Sequence, residues 1–120
     1  MNINISKPRG DTIKIRFSIK MSGVDYEVQP NDRLYFTIKR SYKDESYLKQ
    51  YSYGDGITYD QSTKKYTLII PSSDTSELDF KTYYFDIELV RDFNNTKDTS
   101  TLILGELEMT EEITRRENEE

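Results

Sequence analysis

Asp86 and Glu88 stand two residues apart in a strand-like stretch, the first arrangement in this chain that could do chemistry. Two carboxyl groups about 5–10 Å apart across a substrate are the machinery of glycoside hydrolysis. In a chain with 22 acidic residues such pairs also arise on any solvated strand face. Asp92, Asn94, Asn95 and Asp98 gather four oxygen donors within one loop, a start on the 6–8 oxygens that calcium takes. The EF-hand pattern fails here, because Lys97 and Ile103 stand where that loop needs Gly and Glu. Ordinary turn chemistry accounts for the same residues, and no metal or other cofactor is expected. Tyr47, Tyr51 and Tyr53 share parity and would line one face of an extended strand. Such rings can stack on a sugar or anchor a protein partner. They can equally cover a thin core while their hydroxyls reach water.

Other chemistries are excluded by composition. The 120 residues include no His and no Cys, so there is no imidazole base, thiol nucleophile, disulfide or Cys/His metal site. Gly54-Asp55-Gly56 lacks the third Gly of a dinucleotide-binding loop and precedes a strand rather than a helix. Nothing marks a catalytic site, and the chain is read as no enzyme. The net charge is −5 and there is no basic block, which argues against binding free nucleic acid. The longest apolar run, Tyr66–Pro71, is too short for a membrane span, and MNINISKPRG has no secretory character. The lack of Cys fits synthesis in a reducing cytoplasm.

The elements that would position these residues are strands. Ala, the best helix former, is absent, whereas Thr, Ile, Val, Tyr and Phe are abundant. Ile13, Ile15, Phe17 and Ile19 alternate with Lys14, Arg16, Ser18 and Lys20. Leu34, Phe36 and Ile38 repeat the pattern, as do Tyr83, Phe85, Ile87 and Leu89. With Leu68 and Ile70, the apolar members of these runs other than Tyr83 are the expected core. Val24–Val28 follows the turn Met21-Ser22-Gly23 as the second arm of a hairpin. Further strands are expected at Ile3–Ile5, Tyr47–Tyr53, Tyr66–Ile70 and Ser100–Thr110. In the last, parity switches at Gly105, which suggests a bulge there. One helical turn near residues 72–78 is expected, with Ser73 as its cap. About 7–8 strands at this spacing give an all-β domain over residues 1–110, an antiparallel β-sandwich.

Residues 111–120 form a charged C-terminal tail of five Glu with Arg115 and Arg116 and one apolar residue, Ile113. With so little apolar surface it is expected to stay mobile in the isolated protein. It reads either as a solvated end or as a docking arm in which Ile113, Arg115 and Arg116 meet a partner.

The stretch Arg9-Gly10-Asp11-Thr12-Ile13-Lys14-Ile15-Arg16-Phe17 resembles the opening of small phage-encoded immunoglobulin-like domains found in tail, baseplate, neck and other virion structural proteins. Similar features follow at Leu34–Lys39, at Gly56-Ile57, at Ile70–Thr75 and at Tyr83-Tyr84-Phe85-Asp86-Ile87-Glu88-Leu89. Lys81 departs from the Gly common just before that last strand. The resemblance implies an immunoglobulin-like sandwich and a structural or adaptor role in a bacteriophage particle. The implied partners are other virion proteins, with self-association open, and the implied location is the virion. The alternative is a carbohydrate-binding or host-surface-binding module built on Tyr47, Tyr51 and Tyr53.

Overall fold

A computed structural model describes residues 2–79, 81–93 and 96–110. The strands in chain order are β1 (Asn2–Pro8), β2 (Ile13–Phe17), β3 (Lys20–Met21), β4 (Val24–Asp25), β5 (Arg33–Lys39), β6 (Lys49–Tyr53), β7 (Gly56–Asp60), β8 (Lys65–Ile70), β9 (Thr82–Phe93) and β10 (Thr96–Thr110). A single helical turn, α1 (Ser72–Thr75), lies between β8 and β9. Eight strands form one sheet in the order β1-β10-β9-β5-β6-β7-β8-β2, and β3 and β4 form a separate hairpin. The all-β expectation therefore holds. The sheet is mixed and nearly closes on itself, which gives a barrel-like body.

The purely antiparallel arrangement expected from the sequence is corrected at two seams. β1 runs parallel to β10, with Ile3 beside Gly105 and Pro8 beside Thr110. The missing side chain of Gly105 permits this, because a Cβ there would come within 2.1 Å of the Ile3 carbonyl oxygen. β6 and β7 also run parallel, through only two residue pairs, Ser52 with Gly56 and Tyr53 with Ile57. Gly54 and Gly56 take left-handed φ values of 88° and 104°, and the chain loops back without reversing into a hairpin. That loop is closed by Asp55 N–H donating to the Ser52 carbonyl at 2.8 Å and by Ser52 N–H donating to that of Asp55 at 3.0 Å.

The inside and outside of the strands follow the alternation. Ile13, Phe17, Ile19, Leu34, Phe36, Ile38, Leu68, Ile70, Phe85, Ile87 and Leu89 are buried, and Ile15 is half-buried. Ile57, Tyr66, Tyr83, Ile103, Leu107 and Met109 join them. The hairpin at Ser22-Gly23 has both turn residues at positive φ, 53° and 80°, the geometry whose twist suits a two-residue connection.

Two local readings are revised. In β10 the register slips between Thr101 and Ile103, so the irregularity sits at Leu102 and not at Gly105. Ile103 then turns inward together with Gly105, Leu107 and Met109, and Leu104 faces out. Burying the β-branched Ile103 beside Ile87 decides the register. The cap of α1 is Pro71, which makes no side-chain cap hydrogen bond, in place of Ser73. Thr75 anchors the turn instead: its buried hydroxyl donates to the Asp11 carbonyl at 2.8 Å.

Candidate functional site

A cleft of about 690 Å³ lies between the segment 27–35 and the end of β6. That volume lies in the range of small-ligand sites. Glu27, Gln29, Arg33, Tyr35, Ser52 and Tyr53 supply its polar and aromatic lining. Register builds one wall, since Tyr35 of β5 sits directly beside Ser52 of β6.

The opposite wall is a loop held from within. Tyr66, fully buried, accepts the Val28 N–H at 2.9 Å and donates its hydroxyl to the Tyr26 carbonyl at 2.8 Å. The Tyr26 hydroxyl in turn donates to the Asp32 carboxylate. Asp32 also accepts the Gln29 N–H at 3.0 Å. The Gln29 side chain donates to the Glu27 carbonyl at 2.7 Å. The two Tyr66 bonds tie the loop to β8 and the other three brace it from within, so the cleft is shaped before any ligand arrives. Phe17 stacks on Tyr66 at 5.5 Å, and Tyr53 and Tyr59 meet the same ring at 6.2 and 4.7 Å.

Tyr26, Tyr66 and Tyr51 titrate late. Burial and the carboxylate of Asp32 push the Tyr26 hydroxyl up to about 12. Burial does the same to Tyr66, also to about 12, against the opposing pull of the Val28 N–H. Burial, reinforced by Asp74, raises Tyr51 as well. A raised phenol favours its neutral form in the fold. Stability is therefore complete below pH ~10, where unfolded tyrosine ionises, and falls as pH rises through about 12. Urea midpoints measured from pH 8 to 12 should show this decline. Tyr66→Phe should lower stability by ~1–3 kcal/mol at neutral pH, by stranding a buried donor and acceptor. The same variant should decline less steeply above pH ~10. Parallel declines in the two proteins would refute the assignment of Tyr66.

The tyrosine row expected from parity is divided by the fold. Tyr47 precedes β6 and is 53% exposed. Tyr51 is half-buried, its ring 6.3 Å from that of Phe36 and its hydroxyl donating to Asp74 at 2.7 Å. Tyr53, 41% exposed, reaches the cleft. Its neighbour there, Tyr35, carries no site signal in the sequence, because it lies on the outward face of another strand. Only the register of β5 against β6 joins the two.

The remaining candidates are placed as follows. Asp86 and Glu88 both sit half-buried on the outer face of β9. Burial raises the Asp86 carboxyl, with Lys39 pulling the other way. Asp92 lies on β9, and Asp98 on β10 accepts a hydrogen bond from Arg91 at 2.7 Å. Asn94, Asn95, Ile113, Arg115 and Arg116 lie outside the described residues. Among the described residues no group of three or more acidic side chains is placed to hold a metal ion. Among them, too, no helix is long and apolar enough to cross a membrane. No protein-family model matches the chain, and no curated protein matches it by sequence.

Proposed function

We propose that this chain is a non-enzymatic structural or adaptor module of a bacteriophage particle, of immunoglobulin-like build, which docks other virion proteins in a tail, baseplate, neck or head appendage. The observation that carries the reading is where the phage-like segments fall. Arg9–Phe17, Leu34–Lys39, Gly56-Ile57, Ile70–Thr75 and Tyr83–Leu89 coincide with β2, β5, the start of β7, the β8–α1 junction and β9. Their inward members make up most of the core.

Three features support the immunoglobulin-like build. The sheet is held across β6 and β7 by two residue pairs only. It thus divides into a five-stranded group, β1-β10-β9-β5-β6, and a three-stranded group, β7-β8-β2. The buried Tyr83, near the start of β9, accepts the Asp79 N–H at 2.8 Å, as the tyrosine corner of such domains bonds back to the chain just upstream. Two residues on, where the second disulfide cysteine of antibody domains would stand, Phe85 stacks on Phe36 at 4.9 Å. An aromatic pair takes the place of the cysteine and tryptophan.

The test is the particle itself. Quantitative mass spectrometry of purified particles of the phage that encodes this chain should find it in fixed ratio to tail or capsid proteins. Gold-labelled antibody should place it at one structure. Complete loss of the chain from gradient-purified particles would overturn the reading.

The cleft favours a second reading, a carbohydrate-binding or host-surface-binding module. Tyr35 and Tyr53 offer rings to the apolar faces of a sugar, and Glu27, Gln29 and Arg33 offer hydrogen-bonding groups to its hydroxyls. Amide-detected titration with host-wall oligosaccharides should then shift Gln29, Arg33 and Ser52. Tyr53→Ala should weaken binding by at least about tenfold, on the scale of one lost ring contact. Unshifted spectra at millimolar sugar would dismiss it.

A further inference from the structure

Among the described residues β1 pairs only with β10 and β2 only with β8, so the described sheet ends in two strands that each leave one side unpaired. A groove of about 380 Å³ lies where these edges approach each other. Its floor is apolar: Ile3 of β1, Phe17 of β2, then Ile19, Leu102 and Ile103. Its charged lining is Arg16, Lys20 and Lys65, with no acidic residue, in a chain of net charge −5. Lys20 is paired with Asp25 at 3.0 Å, and the same lysine together with Lys64 and Lys65 holds the Asp25 carboxyl below its ordinary range. Among the described residues no carboxylate pairs with Arg16 or Lys65. The groove therefore combines free strand edges, an apolar floor and surplus positive charge. That combination suits an extended acidic segment bearing one apolar side chain, added as a strand.

We propose that this groove receives residues 111–120 of a second copy of the chain, with Ile113 on the apolar floor and the flanking glutamates against Arg16 and Lys65. The segment has five Glu against Arg115 and Arg116, so its net charge opposes that of the groove. The copy must be a second one. Thr110 lies beside Pro8, at the far end of β10 from Ile103. The seven residue steps from one to the other span about 23 Å of strand, whereas Ile113 can reach only about 10 Å beyond Thr110. A chain's own Ile113 cannot reach its own groove. Reciprocal exchange closes a dimer.

Light scattering on the full-length chain tests it. Wild type should be dimeric or larger at tens of micromolar. Ile113→Asp should raise the dissociation constant at least about tenfold, with the circular dichroism spectrum unchanged. Glu111→Lys/Glu112→Lys should dissociate the assembly, as should Arg16→Glu/Lys65→Glu, and mixing these two variants should restore association between them. A synthetic peptide of residues 109–120 should compete with wild-type association, less well at 0.5 M salt than at 0.05 M. A wild type that stays monomeric at 100 µM overturns the proposal. So does an assembly that ignores Ile113→Asp, or a mixture of the two charge-reversed variants that fails to associate.

Discussion

Phe85→Ala is expected to destabilise the fold by ~3–5 kcal/mol, a large share of the ~5–15 kcal/mol that holds a domain of this size. Phe85 is central for three reasons. It is buried, it stacks on Phe36 at 4.9 Å, and it lies beside Gly105 and Ile38 in the adjoining strands β10 and β5. Removing the ring leaves a hole that three strands border, and strands tied into one hydrogen-bonded sheet collapse poorly into it. Urea denaturation measures the loss. Phe85→Leu retains most of the volume and should cost less than about 1.5 kcal/mol. A Phe85→Ala protein with near-native stability would mean that β9 is turned by one residue, with Tyr84 and Asp86 inside.

Gly105→Ala is expected to cost ~3 kcal/mol, the upper end of what overpacking a core position does. A single methyl there would lie 2.1 Å from the Ile3 carbonyl oxygen and 2.5 Å from Cζ of Phe85. A flexible side-chain tip could move aside, but the first obstacle is backbone, so β1 must lift off β10. The damage should therefore be local as well as global. Amides of Asn4 to Lys7 should exchange much faster in the variant, and those of β5 only in proportion to the global loss. Leu104→Ala, one residue away but facing out at 39% exposure, is the control and should change stability by less than about 1 kcal/mol. Unaltered exchange in β1 of the Gly105→Ala protein would show that the parallel β1–β10 pairing is not formed.

The two variants probe different levels of information. Phe85 as a core residue can be read from the alternation Tyr83, Phe85, Ile87, Leu89, because a half-buried strand needs one apolar face whatever it pairs with. The role of Gly105 cannot be read in that way. Its parity break looks like a bulge, yet what it does is admit a second backbone, and that depends on which strand lies alongside. The register slip at Leu102 has the same origin: Ile103 and Leu104 are equally apolar, and only the neighbouring Ile87 and Asp86 decide which goes in.

The candidate site divides along the same line. Tyrosine abundance near residues 42–66 is plain in the sequence, but parity alone groups Tyr47, Tyr51 and Tyr53, residues the fold sends to a loop, to Asp74 and to the cleft. The cleft pairs Tyr53 with Tyr35 and shapes its wall through Tyr66, Tyr26 and Asp32. By itself the sequence determined the β class, the strand faces, most of the core, and the absence of imidazole and thiol chemistry, since each follows from residue type and a period of two. Tertiary structure alone decided the parallel seams, the single nearly closed sheet, the cleft and the basic groove between the edges. Each of these joins residues distant in the chain, and strand alternation says which way a side chain points without saying what it will meet.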